Sequence, residues 1–96
     1  MSTVVWTPTA LDDVDGLVEE LAEVNLEAAE RAAQSIRLAG NSLRSNAKRG
    51  TMVQGAPGVR KLRVPFGRYG FVIHYAVLED DVVILRVYHG RQNRPT

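Results

Sequence analysis

Both histidines, all three tyrosines and seven of the twelve Lys/Arg residues fall in one stretch, Val59 to Pro95, VRKLRVPFGRYGFVIHYAVLEDDVVILRVYHGRQNRP. These residue types could work on a phosphate ester. An imidazole can take or give a proton near neutral pH. Guanidinium and ammonium groups can hold phosphate charge as it develops. Arg60, Lys61, Arg63, His74, Arg86, Tyr88 and His89 are the candidates, and on its own the stretch invites a nuclease reading.

Each candidate also has a plainer reading. His89, at a strand end, can simply bond a backbone carbonyl. His74, between Val72 and Ala76, can be packed or face a partner. Two histidines fifteen residues apart, with no carboxylate cluster nearby, make no metal site, and no cofactor is implied. Lys61, Arg63, Arg68, Arg91 and Arg94 can form a solvated basic rim. Arg86 stands in an apolar run and needs an acceptor, either an internal carboxylate or an anionic partner.

The chain that must position these residues has 96 of them, which suggests a single domain, 1–96, with one modest core. At 45% hydrophobic and 24% charged, its composition is that of a globular protein. No apolar run approaches the ~18 residues of a membrane span. The start, MSTVVWTPTA, has no basic region before an apolar run, so no secretory signal is expected. With no cysteine, disulfides, thiol catalysis and Cys-based zinc sites are excluded, and a cytoplasmic location is expected. The net charge of +1 hides an asymmetry: residues 1–47 carry −5 and residues 48–96 carry +6. A basic half implies an anionic partner, nucleic acid or an acidic protein surface, or else two halves that simply face solvent.

Val4-Val5-Trp6 reads as a short strand with Trp6 in the core. Thr7 then Pro8 is a helix start, a hydroxyl cap followed by a residue that needs no donor. Leu11, Val14, Val18, Leu21 and Ala22 predict a helix over roughly 8–23. Asn25 caps a second helix over about 26–46, with a seam of Ala29, Ala33, Ile36, Gly40 and Leu43 that allows close packing in an αα-hairpin. Residues 46–58 predict a loop. Strands are expected at Val59–Val64, Phe71–Leu78 and Val82–Tyr88, with Glu79-Asp80-Asp81 as a turn. Alternation puts Arg60 with Leu62 and Val64, and Phe71, Ile73, Tyr75 and Val77 together. On the last strand it groups Val82, Ile84, Arg86 and Tyr88 on one face. The expected fold is α+β, β-α-α-β-β-β, a helical hairpin on a small antiparallel sheet. Both faces of the last two strands are largely apolar, so part of one is expected to take a partner.

This order resembles the ParE/RelE superfamily of toxins from type II toxin–antitoxin modules. The resemblance is carried by VVWTPTALDDVDGLVEEL, by Asn25-Leu26-Glu27-Ala28-Ala29, by Arg60-Lys61-Leu62 and by FVIHYAV-LEDD-VVILRVYHGRQ, which together span nearly the whole chain. It implies either of two activities. RelE-like members cleave mRNA on the ribosome by attack of a 2′-hydroxyl on the adjacent phosphate, which here would use Arg60, Arg86 and His89. ParE-like members poison DNA gyrase and need no such constellation. Hydrophobic residues fill the run Tyr69-Gly70-Phe71-Val72-Ile73-His74-Tyr75 where RelE-like nucleases typically carry an Arg. The tail Gly90–Thr96 lacks the terminal Tyr those nucleases often have. The ParE-like branch is therefore expected, with Arg86, His89, Arg91 and Arg94 as target-binding residues and Lys61, Arg63 and Arg68 as basic surface. The resemblance also implies a ParD-like antitoxin in a hetero-oligomer, its tail folding onto exposed apolar surface. A ParE-like binding module without toxicity is a further alternative.

Overall fold

The computed structural model describes residues 3 to 92. The elements are β1 (Thr3–Trp6), α1 (Pro8–Ala22), α2 (Leu26–Asn41), a 3-10 turn (Ser42–Arg44), β2 (Thr51–Met52), β3 (Val59–Val64), β4 (Phe71–Leu78) and β5 (Asp81–His89). The strands form one five-stranded sheet in the order β1-β5-β4-β3-β2. All neighbours pair antiparallel except β1, which runs parallel to β5, so the sheet is mixed. The α+β class holds. The expected β-α-α-β-β-β pattern gains β2, a two-residue edge strand inside the expected loop, too short to show a period.

The two caps do what their chemistry predicts. Thr7 Oγ1 accepts from the Ala10 N–H at 3.1 Å, and Asn25 Oδ1 from the Ala28 N–H at 3.0 Å, each of the kind worth about 1 kcal/mol. The second helix ends at Asn41 rather than near residue 46. There Ser42 Oγ donates back to the Ala39 carbonyl at 2.6 Å, and Asn41 Oδ1 accepts from Trp6 Nε1 at 3.0 Å. These bonds accompany the switch to a 3-10 turn. The buried stripe of α2 is Ala29, Ala32, Ile36 and Gly40, with Leu43 following. Ala32 takes the place expected of Ala33, which lines a groove between the helices instead. Gly40 is required where it stands, because a Cβ there would lie 2.4 Å from the Trp6 ring.

Both helices lie on one face of the sheet. Ala10, Ala32, Ile36 and Leu43 pack there against Val64, Phe71, Ile73, Tyr75, Val82, Ile84 and Val87. Among the described residues no element covers the other face.

Candidate functional site: the open face of the sheet

The register decides which candidates meet. Lys61 lies opposite His74 and His74 opposite Arg86, while Arg63 lies opposite Val72 and Val72 opposite Tyr88. Directly paired residues share a face. Two cross-strand rows on the open face therefore bring Lys61, Arg63, His74, Arg86 and Tyr88 together. The His74 and Tyr88 rings meet edge to face at 4.9 Å, and the Arg86 guanidinium lies 5.2 Å from the Tyr88 ring centre. Val72 is buried beneath these side chains. Toward the other end of the same face stand Val5, Val83, Ala76 and Val59 in one row, with Leu78 beyond. The open face thus grades from apolar to cationic.

A bulge produces this arrangement. Tyr75 pairs with Ile84 but His74 with Arg86, so Leu85 is an extra residue on β5. Strict alternation would group Val82, Ile84, Arg86 and Tyr88, as expected above. The extra residue reverses the alternation: Val82 and Ile84 face the helices, and Arg86 and Tyr88 face away.

Arg86 has found an internal acceptor. Its Nε donates to Asp13 Oδ2 at 2.8 Å and its Nη2 to Asp13 Oδ1 at 3.0 Å. Asp13 Oδ2 also accepts from the Val87 N–H at 2.9 Å. This occurs where β1 leaves the β5 edge, its last pair being Trp6 with Ile84. Beyond that point helix side chains take over: Thr7 Oγ1 donates to the Leu85 carbonyl at 3.2 Å, and Asp13 closes the next step. Burial acts most strongly on Asp13 and raises its pKa. The Arg86 hydrogen bonds, the Val87 N–H and the Arg86 charge together outweigh it, so the carboxyl lies below its ordinary value. Arg86 is raised in turn, first by its hydrogen bond to Asp13 and then by the carboxylate charge.

The other candidates lie elsewhere. Arg60 points to the helix side, where Nη1 donates to the carbonyls of Gly50 at 2.8 Å and Lys48 at 3.4 Å. The Gly50 N–H donates to the buried Tyr75 hydroxyl at 2.9 Å. Arg60 thus ties a loop to the sheet. A Cβ at Gly50 would lie 2.4 Å from the Lys61 carbonyl oxygen, so the loop approaches too closely for any other residue. His89 pairs with Phe71 and contacts it edge to face, with ring centres 6.1 Å apart. Its Nδ1 accepts from the Arg91 N–H at 3.1 Å. His89, Tyr69, Phe71, Leu17 and Leu21 line a groove of about 550 Å³ beside α1. Arg68 and Arg91 each lie against the Tyr69 ring, at 5.5 and 5.6 Å. Arg60, Arg86 and His89 are therefore not brought together. Of the expected target-binding set, His89 and Arg91 share this groove while Arg86 stands on the open face. Arg94 lies outside the described residues. Asp13 was absent from every sequence-derived set, since nothing in its local run marks a partner 73 positions away.

Among the described residues no group of three His, Cys, Asp or Glu side chains could hold a metal ion. No described helix is long and apolar enough to cross a membrane.

Comparison with known proteins places the chain. A family model described as the ParE toxin of the type II toxin–antitoxin system parDE matches residues 4–94. Toxin RelE1 of Caulobacter vibrioides is 33% identical over 92 residues, covering 96% of this chain and 97% of that protein. Toxin RelE3 of the same organism is 32% identical over 94 residues, covering 98% and 100%. Among solved structures, a chain of the chromosomal ParDE system from P. aeruginosa superposes with a TM-score of 0.77 at 26% identity, covering 93% of this chain and 96% of that one. A mutant E. coli RelE in the free state gives 0.52 at 15% identity over 96% and 86%, a likeness of fold alone.

Proposed function

Since the chain belongs to the ParE toxin family of type II toxin–antitoxin systems, we propose that this toxin inhibits DNA gyrase by binding it and is neutralised by a ParD-like antitoxin. The observation that carries this reading is the separation of Arg60 and His89 from Arg86, the three residues a RelE-like cleavage would use. Cleavage through a 2′-hydroxyl needs a base, a leaving-group acid and cations around one phosphate. Arg60 is spent on the Gly50 loop, and His89 lies on the opposite face from Arg86. What remains on the open face is a cationic and apolar surface suited to contact. The likeness to a chain of a ParDE toxin–antitoxin system supports the antitoxin. The exposed apolar residues of this face and of the helical hairpin give an antitoxin tail surface to bury.

One observation favours a second reading. Lys61, His74 and Arg86 stand in one row with Tyr88 beside them, and the two Caulobacter relatives are named RelE toxins. A ribosome-dependent endonuclease would use that row. Inducing the protein in cells separates the readings. DNA damage response and filamentation are expected; rapid loss of translation with cleaved transcripts would replace the gyrase reading with the nuclease one, and absence of toxicity would leave only a binding module.

A further inference from the structure

An acid stands at the edge of the cationic cluster, and its geometry says more than its charge. Asp13 grips Arg86 along one side of the fork, through Nε and Nη2. A two-point grip of this kind fixes the guanidinium plane as well as its position. The Tyr88 ring supports the guanidinium from within the open face, at 5.2 Å. Asp13 is itself anchored by the Val87 N–H, so the backbone of β5 sets the carboxylate. The Arg86 side chain is still 45% exposed, and among the described residues its Nη1 has no hydrogen-bond partner. Lys61 lies across His74 in the same row. With strands about 4.8 Å apart, the Lys61 and Arg86 backbones stand roughly 10 Å apart with His74 between them.

If positive potential alone mattered here, an acid at this place would only weaken it. We propose that Asp13 is the positioning residue of an oxyanion-binding site on the open face, holding Arg86 so that its Nη1 edge, with Lys61, meets an oxyanion of the partner. This rests on the open face being the target surface. A phosphate ester and a carboxylate share the required chemistry, and the test separates them.

The experiment titrates inorganic phosphate, and separately acetate, into the full chain at low ionic strength, following the Arg86 Nε–H and the Lys61 and His74 resonances by NMR. Binding that shifts all three is expected, and the tighter anion identifies the partner group. No response to either anion overturns the site. Asp13→Asn keeps an oxygen for the Val87 N–H but loses the two-point grip, and it is expected to weaken binding about tenfold. If Asp13 acted only through its charge, removing that charge would strengthen binding, and this result overturns the proposal. Arg86→Lys, which leaves Asp13 and the positive charge in place, is expected to weaken binding similarly. In an Arg86→Ala background, Asp13→Asn is expected to change nothing further; an equal loss there would mean a general structural effect and would also overturn it. Thermal midpoints of each variant report folding separately. Gyrase plays no part in this readout. A chain that binds phosphate but spares gyrase refutes the target reading alone, and one that inhibits gyrase without any anion response refutes the site alone.

Discussion

On the helix side of the sheet, Ile73, Tyr75, Val82 and Ile84 are fully buried, and the cation Arg60 bonds two backbone carbonyls of a loop. On the open side, Val5 and Leu78 are 44% and 58% exposed, and the cation Arg86 is held by a carboxylate with one edge left over. The same strands build both faces. The difference is that Arg60 and the Tyr75 hydroxyl are spent on the fold, whereas the open side holds oriented charge and apolar surface left exposed. Stability is concentrated on the first face, and the proposed recognition would use the second.

The largest test of this contrast is a core truncation. Ile84→Ala should cost about 2–5 kcal/mol of unfolding free energy, while Val83→Ala, one residue along and on the open face, should cost well under half of that. Urea denaturation of the two variants measures it, and equal losses would mean that the open face is also core. Next comes the loop anchor. Tyr75→Phe removes the acceptor of the buried Gly50 N–H and should cost about 1–3 kcal/mol, again by urea denaturation.

A smaller effect sharpens the role of Asp13. Its carboxyl is lowered on folding from an ordinary value of 3.8. A carboxyl lowered on folding stabilises the protein above its unfolded pKa and loses that contribution as pH falls through the folded value. The loss should therefore begin near pH 4 and grow below it. Urea midpoints between about pH 2.5 and 6 should show a steeper acid decline in the wild type than in Asp13→Asn. Parallel curves would mean the ion pair does not stabilise the fold. The smallest expected stability change is at the cationic rows. Lys61→Ala and Arg63→Ala should stay within about 0.5 kcal/mol of wild type yet weaken target inhibition clearly.

How much of this the sequence revealed follows from the range of each interaction. Thr7 and Asn25 act on N–H groups three residues away, so their caps were readable from local chemistry. β1 was readable as a strand from Val4-Val5-Trp6, but its parallel pairing and the two-residue β2 depend on distant partners that leave no local signal. The face of Arg86 was misread for a physical reason. In VVILRVY both faces of the strand are apolar, so the extra residue Leu85 disturbs no visible pattern. Arg86 itself stood out as needing an acceptor. The acceptor, Asp13, lay among Asp12, Asp13 and Asp15 in the early turns of α1, where negative charge already suits the helix dipole.

The proposed action is binding of gyrase through the open face. The most direct measurement is gyrase supercoiling with purified toxin, wild type against Lys61→Ala/Arg63→Ala. Dose-dependent inhibition with accumulation of cleaved DNA is expected, with a clear loss of potency in the double variant. Undiminished supercoiling at saturating wild-type toxin would contradict it.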